Sequence, residues 1–122
     1  MRKSLRNVAS ALALGLAVMS PIAADAHAVV VKAQPALDQQ VPTGPLTIRL
    51  EFNSRIDKER SKLELTAPDG AKTEIPVGQD GAPNVVTATS ANLAAGAYSL
   101  RWQVLAVDGH ITRGDIPFTV GP

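Results

Sequence analysis

The chain has 122 residues, 12 basic and 11 acidic side chains, a formal charge of +1, no cysteine and only four aromatic residues. That length allows a single small domain behind a leader, and the near-neutral charge without basic runs argues against nucleic acid as a partner. The absence of cysteine excludes a disulfide framework and any thiolate site for zinc or copper.

Residues 1–26 read as a secretory signal peptide. Arg2, Lys3 and Arg6 make a basic start, and Val8 to Val18 is an apolar run interrupted only by Ser10 and Gly15. Pro21 ends the run, and Ala24-Asp25-Ala26 supplies the small-residue pair of a cleavage site. The run is shorter than the roughly 20 apolar residues of a membrane-spanning helix. An uncleaved anchor is the alternative, disfavoured by the placement of the small residues. No span is expected after cleavage, which leaves residues 27–122 as one exported domain. Arg2, Lys3, Arg6 and Asp25 leave with the leader, so that domain has nine basic and ten acidic residues and a formal charge of −1. Met1 and Met19 leave too, so no sulfur remains.

Ala28 to Lys32 is short and β-branched, a first strand, and Gln34-Pro35 ends it. Residues 35–45, with Pro35, Pro42, Gly44 and Pro45, read as a loop. Leu46, Ile48, Leu50 and Phe52 alternate with Thr47, Arg49 and Glu51, the period of a half-buried strand. Asn53 to Arg60 is polar and reads as a loop or one helical turn. Lys62 to Thr66 alternates again, Pro68-Asp69-Gly70 is a tight turn, and Ala71 to Val77 returns as a hairpin partner that Pro76 places at an edge. After a Gly/Pro loop over 78–84, Val85 to Ser90 is a weaker strand.

Gly96 to Val107 is the strongest strand. Tyr98, Leu100, Trp102, Val104 and Ala106 share one face, and Leu105 and Val107 suggest partial burial on the other. Asp108-Gly109 breaks the run, and Asp115 to Val120 forms the last strand, with Ile116, Phe118 and Val120 inward. With no sustained helical period, about seven short antiparallel strands predict an all-β, Ig-like Greek-key sandwich or barrel. Tyr98, following Leu93 to Gly96, fits a corner where a tyrosine hydroxyl bonds backbone.

The two histidines of the chain fall at informative places. Cleavage after Ala26 makes His27 the first residue, with a free α-amine beside its ring. His110 follows Asp108 with only Gly109 between, and side chains at i and i+2 of extended chain leave on one face. The His27 amine and Nδ1 can close a six-membered chelate, which a His110 ring nitrogen and an Asp108 carboxylate oxygen would complete. Nitrogen and oxygen donors in a tetragonal plane suit one Cu(II) per chain better than zinc. Asp108 fits either as a ligand or as a group that orients His110. Against this stands the plainer reading of a surface histidine beside an Asp-Gly turn. No nucleophile motif surrounds Ser54, Ser61 or Ser99, and Arg101 and Arg113 read as solvated strand-face charges.

His27, the run Leu93-Ala94-Ala95-Gly96-Ala97-Tyr98-Ser99-Leu100-Arg101-Trp102-Gln103-Val104-Leu105-Ala106-Val107-Asp108-Gly109-His110, then Gly114 and Phe118-Thr119-Val120, resemble the CopC family of periplasmic copper-resistance proteins. The resemblance covers nearly all of residues 27–122 and is loosest between Asn53 and Leu93. It implies an Ig-like β domain that holds Cu(II) in the periplasm through His27, Asp108 and His110. It also implies work beside an inner-membrane copper transporter of the CopD type; a monomer is expected. Two departures stand out. The exported chain has no methionine, so the methionine-rich Cu(I) site of some members is not expected. Phe52-Asn53-Ser54 replaces a frequent Phe-Ser-Glu, which puts Ser54 where some relatives place a glutamate near the metal.

The leading expectation is therefore a non-enzymatic Cu(II) carrier or buffer. A histidine-brace copper monooxygenase is the alternative in the enzyme class, which turnover with ascorbate and oxygen would reveal. An Ig-like structural or interaction module with incidental histidines is the third reading, which metal titration separates.

Overall fold

The computed structural model describes residues 28–122; the expected leader and His27 lie outside the described residues. The described chain forms eight strands: β1 (Val30–Gln34), β2 (Gln40–Val41), β3 (Gly44–Phe52), β4 (Ile56–Thr66), β5 (Lys72–Ile75), β6 (Val85–Leu93), β7 (Gly96–Ala106) and β8 (Ile111–Val120). One sheet has the order β1-β3-β6 and the other β2-β8-β7-β4-β5. The result is the expected all-β, Ig-like sandwich. Every pairing is antiparallel except β2 with β8, which is parallel.

The period-two stretches build the core. Ile48 and Leu50 of β3, Leu63 of β4, and Leu100 and Val104 of β7 are fully enclosed, and Ile116, Phe118 and Val120 of β8 close over them. Each such side chain contributes about 1.5–3 kcal/mol by leaving water. Phe52 meets Trp102 edge-on at 5.3 Å between centroids, and Tyr98 stacks on Phe118 at 5.7 Å. The Tyr98 hydroxyl donates to the Ala94 carbonyl at 2.8 Å, the corner expected from its position. As Pro76 suggested, β5 lies at a sheet edge.

Several strands differ from expectation for physical reasons. The polar stretch Asn53 to Arg60 is neither loop nor helical turn after Arg55: β4 already begins at Ile56. A bulge between Asp57 and Lys62 hides the alternation there. Asp57 holds the bulge, accepting the Arg60 backbone N–H at 3.3 Å and its guanidinium at 2.7 Å. Ser61 Oγ donates to the Asp57 carbonyl at 2.7 Å and accepts the Leu105 N–H at 3.2 Å. Buried Lys58 points its ammonium at the Asp80 carbonyl, 2.8 Å away.

The last strand starts at Ile111, not Asp115, because β8 pairs with β7 from Leu105↔Ile111 onward; its alternation is hidden by Gly114 at an inward position. A Cβ there would lie 2.5 Å from the Trp102 ring, so the indole fills the space a side chain would otherwise take. Three smaller differences follow from pairing or its loss. The expected loop over 35–45 contains β2 and the start of β3, and β6 continues to Leu93 along β3. The first strand begins at Val30 and not at Ala28. Val107 is 64% exposed, so it is not partly buried as expected; it has already left β7 and entered the turn.

Candidate metal centre

Strands β7 and β8 run side by side from Gly96↔Val120 up to Leu105↔Ile111, and the turn between them carries Asp108 and His110. The Gly109 N–H donates to the Ala106 carbonyl at 2.8 Å, and the Ala106 N–H donates to the His110 carbonyl at 2.9 Å. Gly109 has φ +95°, the left-handed conformation that follows a type I turn in a three-residue hairpin loop. A side chain at 109 would meet open space, so backbone conformation alone calls for glycine here. Asp108 and His110 thus come together, but by a tight turn and not by the extended geometry expected from their spacing.

Asp108 Oδ1 accepts the His110 backbone N–H at 3.1 Å and lies 3.3 Å from His110 Nδ1. The backbone N–H chiefly holds the Asp108 carboxyl below the usual carboxylate range; burial opposes it, and the His110 ring adds to the lowering. Both side chains are about half exposed, at 45% and 52%. A carboxylate oxygen and an imidazole are therefore held together, half exposed, on one turn.

The start of the described chain reaches the same end of the sandwich. Ala28 is buried, 3% exposed, and its carbonyl accepts the Thr112 hydroxyl at 3.2 Å. Thr112 lies two residues beyond His110. Asn53, just past β3, takes Val29 at two points. Its Oδ1 accepts the Val29 N–H at 2.8 Å, and its own N–H donates to the Val29 carbonyl at 3.0 Å. Sequence reasoning missed both residues. Thr112 left a faint signal, the parity it shares with His110, whereas nothing local marks Asn53 as a clamp on a residue 24 positions away.

Of the three residues expected at the site, the structure brings Asp108 and His110 together, and His27 lies outside the described residues. Among the described residues, no three His, Cys, Asp or Glu side chains converge as a metal site would need. Ser54 Oγ donates to the neighbouring Arg55 carbonyl at 3.4 Å. Arg101 pairs with Asp115 at 3.1 Å, and Arg113 Nε donates to Gln103 Oε1 at 2.8 Å, as solvated strand-face charges do.

Residues 30–121 match the model of the CopC domain. The crystal structure of CopC from Methylosinus trichosporium OB3b superposes with a TM-score of 0.73 at 31% identity, covering 79% of this chain and 95% of that one. Copper resistance protein C of Xanthomonas campestris pv. juglandis is 28% identical over 125 residues, covering 96% of this chain and 98% of that protein. Copper transport protein CutJ of Bacillus subtilis is 28% identical over 109 residues, covering 85% of this chain. The chain spans about a fifth of CutJ's own length, 20%, so the likeness concerns one segment of that protein.

Proposed function

The chain belongs to the CopC family, and from that premise we propose that it is an exported, periplasmic Cu(II)-binding protein that carries or buffers copper in copper resistance. The observation that carries the reading is the Asp108–His110 turn, with the residue after His27 tied down two positions along β8 from it. An imidazole nitrogen and a carboxylate oxygen are donors that suit Cu(II), and no thioether or thiolate stands in residues 27–122 to favour Cu(I).

In this reading signal cleavage after Ala26 frees the His27 amine. That amine and the His27 Nδ1 supply two donors, and the His110 ring supplies the third. Asp108 either supplies the fourth or holds the His110 ring from Nδ1, leaving Nε2 for the metal. The support for this is that Ala28 bonds Thr112, which stands two residues, about 7 Å, along the strand from His110. Each nitrogen must lose its proton to donate, so binding weakens in acid. The work is capture and release of one ion per chain, not turnover, and the protein acts as a monomer. Among the described residues no helix is long and apolar enough to cross a membrane. Hand-over to an inner-membrane transporter of the CopD type is the partnership that follows.

A Cu(II) titration of the polypeptide beginning at His27 tests this. Quenching of Trp102 fluorescence should saturate at one ion per chain, and His27→Ala or His110→Ala should each remove most of the affinity. Stoichiometric quenching that survives loss of both imidazoles would eliminate the site.

A further inference from the structure

Resting on the proposed His27 chelate, we infer that Asn53 and Thr112 are positioning residues for copper binding. They fix the backbone of Ala28 and Val29 so that the residue ahead of them meets the Asp108–His110 turn.

The first residues of a domain are commonly loose unless something ties them down. Here three hydrogen bonds and one buried methyl group fall on just two residues. Ala28 is 3% exposed and belongs to the core cluster. Its carbonyl takes the Thr112 hydroxyl, and Val29 exchanges two bonds with Asn53. The side chain of Val29 is not the anchor, because that residue is 53% exposed. Its peptide groups are.

The two clamps come from different sheets. Asn53 follows Phe52, which is 1% exposed and packed edge-on against Trp102. Thr112 stands on β8, two residues from His110. The chain start is thereby pinned to the strand end of one sheet and to the hairpin that carries the metal donors of the other. An amine that must reach bonding distance of an ion tolerates little positional error. Ordering its tether in advance removes an entropy loss that binding would otherwise bear.

The test uses polypeptides beginning at His27. Cu(II) dissociation constants come from chelator competition, coordination from electron paramagnetic resonance, and fold from thermal unfolding. Thr112→Val keeps the side-chain volume and removes the hydroxyl; Asn53→Ala removes the acceptor and leaves the backbone bond. Each should raise the dissociation constant about fivefold, the worth of one hydrogen bond, with a changed copper spectrum and a still cooperative unfolding transition. Thr112→Ser should restore both affinity and spectrum. In a polypeptide that retains Ala26, which displaces the amine by one residue, Thr112→Val should cost nothing further.

Two results overturn the inference, and they can be told apart. If retaining Ala26 weakens binding while Thr112→Val and Asn53→Ala leave it unchanged, the positioning role fails and the His27 chelate stands. If retaining Ala26 changes nothing, the chelate itself fails and the positioning role falls with it. Should Asn53→Ala unfold the domain, the Thr112→Val and Thr112→Ser pair decides alone.

Discussion

Replacing Gly114 with alanine tests how the sandwich supports the end that carries the candidate site. A Cβ at this position would lie 2.5, 2.6 and 2.8 Å from Cζ2, Cε2 and Nε1 of Trp102. Carbon atoms in comfortable contact are about 3.5–4.0 Å apart, so the indole must retreat by about 1 Å. It has little room, being 8% exposed and set edge-on against Phe52 at 5.3 Å. Inserting one methyl group into such packing costs about 1–3 kcal/mol. For a domain of this size each kcal/mol lowers the melting temperature by about 4–8 °C, so a cost of about 2 kcal/mol predicts a fall of about 8–16 °C. Thermal unfolding followed by circular dichroism and Trp102 emission measures it, on the polypeptide that begins at His27. The indole is also expected to push on Phe52, next to Asn53, and so to weaken copper binding. A fall of less than about 2 °C with unchanged Trp102 emission would refute the reasoning, because about 0.5 kcal/mol is the ordinary scatter of harmless substitutions.

Other substitutions probe separate parts of the account. Tyr98→Phe removes the hydroxyl that donates to the Ala94 carbonyl and should lower unfolding free energy by about 1–2 kcal/mol in a urea titration. Gly109→Ala meets no neighbour but must hold φ near +95°, so it should cost about 1–2 kcal/mol and loosen copper binding through the turn, read in the same titration and by chelator competition. The Asp57 carboxyl is held below its ordinary 3.8 chiefly by the side chain of Arg60. Its contribution to stability is therefore present above that ordinary value and lost as pH falls through the lower folded one. Asp57→Asn should flatten the dependence of the urea midpoint on pH over roughly pH 2 to 5. An unchanged acid profile would mean that the ion pair adds nothing.

The parts of the fold that were legible in the sequence are those where one face is buried without interruption. The alternation of Leu46 to Phe52, Tyr98 to Ala106 and Ile116 to Val120 places those residues inward, and they are buried. Legibility fails where another element supplies what the local pattern lacks. Gly114 leaves an inward position empty because Trp102, from the neighbouring strand, fills it. The bulge at Asp57 shifts the period of β4, so a true strand reads as a polar connection. The two residues of β2 have no pattern of their own and are set by parallel pairing with Thr119 and Val120.

The candidate site divides along the same line. Asp108 and His110 stand close in the chain, and Gly109 between them signals the turn, although the mechanism is a left-handed glycine and not an extended strand. Asn53 and Thr112 act across 24 and 84 residues respectively, where no local pattern can point to them. His27, expected at the site from the Ala24-Asp25-Ala26 pattern before it, lies outside the described residues.

Electron paramagnetic resonance of the polypeptide that begins at His27, loaded with one equivalent of Cu(II) and labelled with ¹⁵N at histidine, reads out whether both histidines and the amine hold the ion. The expected result is a tetragonal signal with three coordinating nitrogens, the amine and ring of His27 and the ring of His110, and loss of one ring nitrogen in His110→Ala. A signal that is the same in wild type, His27→Ala and His110→Ala would contradict it.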